Sequence, residues 1–237
     1  MSAGFRFKRF AIEQQRAAMK VGTDGVLLGA WARLEPKHKR ILDVGCGTGL
    51  IALMAAQRSE EWGAEVWAVE IEQGAVEDAR ENFAASPWAG RLRVEHCSVQ
   101  EFESEEKFDH LLSNPPYFVA SLLSPDGART AARHTTSLTF DELAIAAAGL
   151  LTEEGVLSVV LPTEAAGDMT LAAARRGLFL ARRTDVCTKS AGKPLRSLLE
   201  YGFRPMPTEL TQLTIHTPDG DFTEEYRALT GEFYLKF

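Results

Sequence analysis

From Arg40 onward, short apolar runs alternate with stretches of helical periodicity. That is the pattern of βαβ units around a mostly parallel sheet. Strands are predicted near Arg40–Val44, Glu65–Glu70, Arg91–Cys97, Phe108–Ser113 and Val156–Leu161, with helices near Leu50–Arg58, Gly74–Ala85 and Phe140–Leu151. Thr139 stands before the last helix as an N-cap, and Glu142 completes a capping box. Later strands near Phe179–Val186, Leu195–Phe203 and Gln212–His216 have no helix of that length between them, which predicts an antiparallel closing section. Turns are marked by Gly192, Lys193 and Pro194 and by Pro205 and Pro207. Ahead of the core, Asp24–Trp31 reads as a helix capped by Thr23.

The chain has 237 residues, enough for one α/β domain to bury a full core, and nothing in it demands a second. The expected organisation is a single domain over residues 1–237, with residues 1–39 forming an arm and helix over the site. No apolar run approaches the roughly 20 residues of a membrane span, and the first ten residues lack an apolar signal core. A cytoplasmic protein is therefore expected. Cys46, Cys97 and Cys187 lack CxxC spacing, and His38, His96, His110 and His216 show no metal spacing, so neither disulfides nor a metal is expected. Trp62, Trp67 and Trp88 read as packing residues. Oligomeric state leaves no mark in the sequence.

The net charge of -7 argues against a nucleic-acid partner until its distribution is considered. Fourteen acidic residues meet four basic ones between Glu60 and Asp109, whereas eight basic meet two acidic between Arg175 and Arg204. Between Phe5 and Lys20 five basic residues meet Glu13 alone. Such a chain can present a basic face to phosphates, although each run also fits a plain solvated surface.

Ile41, Leu42 and Val44 lead into Gly45, Cys46, Gly47, Thr48 and Gly49, a strand followed by a glycine turn. Glycines at these positions let the chain turn sharply and let a ligand approach the main chain. Glu70 follows at the end of the second strand, where it can accept from ribose hydroxyls. Asp43 would repel a pyrophosphate and suits a cationic group, which favours S-adenosylmethionine over a dinucleotide. The bland alternative is a tight βα turn and nothing more.

Leu111, Leu112 and Ser113 deliver Asn114, Pro115, Pro116 and Tyr117 to the carboxyl end of the fourth strand, where open α/β sheets place ligands. An exocyclic amino nitrogen is a weak nucleophile because its lone pair is delocalised. Two acceptors on its N–H bonds, the Asn114 side-chain oxygen and the Pro115 carbonyl, favour a pyramidal nitrogen. The prolines stiffen the acceptors, and Tyr117 offers a flat face for stacking.

These residues resemble the class I methyltransferases with an (N/D)PP(Y/F/W) motif, a group of N6-adenine and glutamine-N5 enzymes. The chain is more closely similar to the bacterial family that methylates N6 of adenine 37 in valine tRNA. That likeness rests on Phe5–Phe10 (FRFKRF), Lys20–Trp31 (KVGTDGVLLGAW), Asn114–Tyr117 and Phe233–Phe237 (FYLKF), with Lys20–Trp31 the most discriminating block. The resemblance implies a Rossmann-like, doubly wound seven-stranded sheet, mostly parallel with an antiparallel C-terminal section. It implies that Lys20, Thr23 and Asp24 lie by the methionine half of S-adenosylmethionine. Asp43, Gly45, Gly47 and Glu70 line its cleft, and Asn114, Pro115 and Tyr117 receive an adenine of tRNA. Ser98 stands where an aspartate often accepts from the cofactor's adenine.

An RNA substrate requires the target adenine to leave its stack, which an anticodon loop makes easier. Pro116, Arg129, Arg133 and His134 are candidate substrate contacts, with Arg6 and Lys8 on the amino-terminal arm. Phe5, Phe7 and Phe10 fit either stacking on RNA or packing against the domain. Two alternatives remain. A glutamine-N5 protein methyltransferase shares the socket, but 39 residues are too few for the helical domain such enzymes carry ahead of the turn. A non-catalytic RNA-binding protein on the same fold would have no reason to keep both motifs.

Overall fold

Ile41 and Leu42 are wholly buried, and they face opposite sides of a sheet that is covered on both faces. The computed structural model describes residues 4–116, 138–190 and 192–236. Its main sheet uses β3 (Arg40–Val44), β4 (Glu65–Glu70), β5 (Leu92–His96), β6 (Phe108–Ser113), β7 (Leu151–Pro162), β8 (Phe179–Lys189), β9 (Arg196–Gly202) and β10 (Glu209–His216). The spatial order is β10-β8-β9-β7-β6-β3-β4-β5. Ile41 packs with α1 (Thr23–Trp31) and α2 (Leu50–Arg58) in one core. Leu42 and Val44 pack with α4 (Phe140–Leu150) and α5 (Ala166–Ala174) in the other. Helix α3 (Gln73–Ala84) follows β4, and α6 (Glu224–Thr230) lies near the end of the chain.

The sheet has eight strands rather than the seven expected. The closing section is also only partly antiparallel: β9 opposes both β7 and β8, but β10 runs parallel to β8. Consecutive strands do reverse from β8 to β9 to β10. Because the connection from β9 crosses β8 to place β10 on its far side, two reversals restore the original direction. Helix α5, between β7 and β8, was not expected from the sequence. Helix α1 begins at Thr23, with Gly22 as its extended N-cap and no side-chain cap bond, so Thr23 is not the cap. The capping box at Thr139 and Glu142 forms as expected.

Two short strands, β1 (Phe5–Arg6) and β2 (Ala11–Ile12), pair antiparallel at the amino-terminal end. Phe7 and Phe10 are buried and stack at 4.7 Å, Phe10 meets Trp88 edge-on and Phe7 lies by Tyr234. Packing of these rings therefore takes the place of the stacking on RNA considered above. Between α1 and the sheet, the Arg182 guanidinium lies 3.5 Å from the Trp31 ring centroid and donates to Glu200 at 2.9 Å. Trp31 Nε1 donates to Thr184 at 2.8 Å. A buried ion pair of this kind adds little net stability, but it fixes position. Here it fixes the helix that carries Thr23 and Asp24.

Candidate functional site

The turn after β3 is held to the end of β4 by its own backbone. Gly45 N and Cys46 N donate to Val69 O at 2.9 and 3.2 Å, and Gly47 N donates to Glu70 Oε2 at 2.8 Å. Glu70 Oε1 accepts from Ile71 N and Glu72 N, so this carboxylate organises both turns. Gly47 has φ +55°, and a Cβ there would meet no atom within 4 Å. The space a side chain would occupy is left open. Gly49 differs: at φ +81° its Cβ would come within 2.4 Å of Phe83 Cε1.

That open space belongs to a cavity of about 710 Å³, in the range of small-molecule sites. Gly45, Gly47 and Glu70 line it, as do Lys20, Thr23, Asp24, Ser98, Asn114 and Pro116. Residues from four adjacent strands are thus brought together at the carboxyl ends of β3, β4, β5 and β6. Asn114 is half-buried and Pro115 buried, while Pro116 is exposed.

Not every expected residue is in the wall. Asp43 is fully buried under the turn and does not line the cavity, contrary to expectation. Its Oδ2 accepts from Ala52 N at 3.0 Å and its Oδ1 has no partner. Burial, with the charge of Glu70 adding to it, pushes this carboxyl up to about 8. Burial thus disfavours the charge invoked above against a pyrophosphate. The N–H groups of Gly45, Cys46, Gly47 and Gly49 all point to internal acceptors, so these four are not free to bind a ligand.

Arg6 and Lys8 lie away from this cavity. Lys8 Nζ instead donates to Gly231 O at 2.6 Å. Tyr117, Arg129, Arg133 and His134 fall outside the described residues. Ser98 lines the cavity with its hydroxyl donated to Glu101 at 2.8 Å. Asp24 accepts from Arg196 Nε at 2.7 Å. Among the described residues no cluster of His, Cys, Asp and Glu is arranged to hold a metal, and no helix is long and apolar enough to cross a membrane.

A strap of the amino-terminal arm borders this cavity, and its anchor was not legible in the sequence. Ala17, Met19, Lys20 and Val21 form one wall. The strap is pinned to α3 by the buried Asp78, whose Oδ2 accepts from Arg16 N and Ala17 N, both at 2.9 Å. Its Oδ1 accepts from the Arg16 guanidinium at 2.8 Å. Burial alone would raise the Asp78 carboxyl, but these donors hold it below the usual carboxylate range. Lys20 Nζ folds back onto Gln14 O and Ala17 O, closing the strap on itself. Glu142 was read from sequence only as a helix cap, yet it also lines the cavity.

This sheet order, with a glycine turn after β3 and an acid closing β4, defines a class I methyltransferase, and a family model described as methyltransferase small domain matches residues 22–176. The chain is 49% identical over 98% of its length, and 97% of the relative's, to a tRNA1(Val) (adenine(37)-N6)-methyltransferase of Phocaeicola vulgatus. It is 45% identical, with the same coverage, to one of Bacteroides thetaiotaomicron, and it belongs to the family of these proteins. Among solved structures, a predicted O-methyltransferase from Agrobacterium tumefaciens superposes with a TM-score of 0.67. At 22% identity, covering 89% of this chain and 96% of that one, the likeness is one of fold.

Proposed function

We propose that this chain is an S-adenosylmethionine-dependent methyltransferase that modifies N6 of an adenine in tRNA, namely adenine 37 of tRNA1(Val), in the cytoplasm. It works as one domain over residues 1–237, with the first 39 residues packed over the cofactor cleft. The observation that carries the reading is that Asn114, at the end of β6, opens on the same cavity as Gly45 and Gly47, at the end of β3. The relatives' activity supports the choice of substrate.

When bound, the cofactor supplies a methyl group already activated by its sulfonium charge. The chain's part is positioning and local electrostatics. Glu70 keeps acceptor capacity for ribose hydroxyls beyond its backbone bonds. Thr23, Asp24 and Lys20 bound the methionine end, and Ser98 the adenine end. The Asn114 side-chain oxygen and the Pro115 carbonyl accept from the two N–H bonds of the target amine and turn its lone pair to the methyl group. Tyr117 provides a stacking face, with Pro116, Arg129, Arg133 and His134 holding the nucleotides around it. After transfer the methylated amine would release its extra proton to solvent. No strong general base is needed.

The test is nucleoside mass spectrometry of unmodified tRNA before and after treatment with the protein and S-adenosylmethionine. N6-methyladenosine mapped to the anticodon loop is expected. Label appearing in a release factor and not in tRNA would replace this reading with the glutamine-N5 one.

A further inference from the structure

A second cavity, of about 520 Å³, opens beside the first. The two share Thr23 and Asp24 as a common wall. Resting on the RNA reading above, we propose that this second cavity holds a nucleotide neighbouring the target adenine, with its base against an aromatic wall and its phosphate toward Arg196 and Lys236.

Position is the first argument. Arg196 opens β9 and pairs with Pro162 at the end of β7, which neighbours β6 and Asn114. Two strand spacings separate the socket from this rim, roughly 10 Å. One or two splayed nucleotides of a single strand cover that span, as loop recognition requires.

The wall is the second. His216 stacks on Phe222 at 4.8 Å and Phe222 on Tyr226 at 5.2 Å, with interplanar angles of 28° and 23°. These rings are already ordered against one another, so a base meeting them pays little side-chain entropy. Exposed Leu195 adds an apolar edge. An aromatic, sequence-tolerant wall of this kind suits a base that is held without being read.

Charge is the third. Among the described lining residues Asp24 is the only acid, and Arg196 pairs with it at 2.7 Å. The exposed Lys236 then leaves the rim positive. Exposed Lys189 and Lys193 add positive charge along the turn between β8 and β9, while exposed Asp219, Asp221, Glu224 and Glu225 flank the aromatic wall in sequence. A purely apolar ligand would have no use for this rim, whereas a phosphodiester matches it.

Thr188→Glu and Lys236→Glu place acids at exposed positions of the rim, outside the machinery assigned to methyl transfer. The probe is an RNA hairpin carrying the anticodon loop, with 4-thiouridine one nucleotide to either side of the adenine. Photo-cross-links are expected in peptides carrying Phe222, Tyr226, Tyr234 or Lys236. Each variant should bind the hairpin at least tenfold more weakly, with S-adenosylhomocysteine affinity and melting temperature unchanged. Cross-links confined to other peptides, wild-type RNA affinity in both variants, or no binding of the hairpin at all would overturn the proposal. A protein that binds and cross-links as expected but leaves the adenine unmethylated would refute the enzymatic reading and spare the subsite. Methylation with RNA affinity unchanged in both variants would do the reverse.

Discussion

Gly47 and Glu70 are joined by a 2.8 Å hydrogen bond from backbone N–H to carboxylate, which ties the turn after β3 to the end of β4. Glu70 thus both shapes the cofactor turn and faces the cavity. Hydrogen bonds to charged groups contribute about 1.5–3 kcal/mol. Glu70→Ala is therefore expected to weaken S-adenosylhomocysteine binding by more than tenfold, measured by calorimetry. Binding within twofold of the wild type would show that the carboxylate holds neither turn nor ligand.

Asn114→Ala removes one of the two acceptors for the target amine and leaves the glycine turn untouched. Loss of one preorganised polar group of this type costs about 10²–10³ in kcat. Single-turnover rates on tRNA should fall by that factor while cofactor affinity stays within a few fold. Equal loss of both would move Asn114 from the reaction to cofactor binding.

At Gly49 the backbone and the packing point the same way. A side chain there would adopt φ +81° and press on Phe83 at 2.4 Å. Strain and overpacking together predict that Gly49→Ala loses about 2–5 kcal/mol of stability in urea titrations. Combining it with Phe83→Leu should recover the steric part. A Gly49→Ala chain as stable as the wild type would mean that the turn relaxes without cost.

The Asp43 carboxyl is raised from 3.8 to about 8, chiefly by burial. Between those values the folded chain holds a proton that the unfolded chain has released, so this group lowers stability as pH rises through the window. Asp43→Asn is neutral throughout and lacks that slope. Its stability relative to the wild type should rise with pH, by at most about 1.4 kcal/mol per unit. Parallel stability profiles for the two chains across that window would rule out a protonated Asp43.

The strap offers a separate handle on cofactor binding. Asp78→Ala releases Arg16 N, Ala17 N and the Arg16 guanidinium together. Amide hydrogen exchange should accelerate in the strap, and cofactor affinity should drop about tenfold, given the worth of such charged hydrogen bonds. Unchanged exchange there would show that other contacts hold the strap.

The sequence was most informative where local chemistry decides structure. The Leu50–Arg58 helix, the capping box at Thr139 and the glycine turn follow from periodicity and backbone preference, and all three were placed correctly. Partner choice was not legible in the same way. That β10 pairs with β8 instead of β9 depends on tertiary packing, which no local pattern records. Helix α5 is short and rich in alanine, so it shows no clear apolar stripe. Asp43 was misplaced for a related reason. Spacing put it beside the turn, but whether a strand's last acid faces the cavity or the core depends on the register of β3 against its neighbours. The anchor of the strap was hidden because Asp78 lies far along the chain from the residues it holds.

The two ends of the chain meet. Lys8 N donates to Phe233 O, and the Lys8 side chain reaches Gly231, 223 positions away. Trp31 likewise finds its hydrogen-bond partner only at Thr184. During synthesis, the amino-terminal segment that walls the cavity therefore emerges from the ribosome long before the surfaces that hold it. Among the described residues, the lining of the main cavity is complete by Glu142, whereas the arm and α1 gain these long-range anchors only once residues 184–233 have been made.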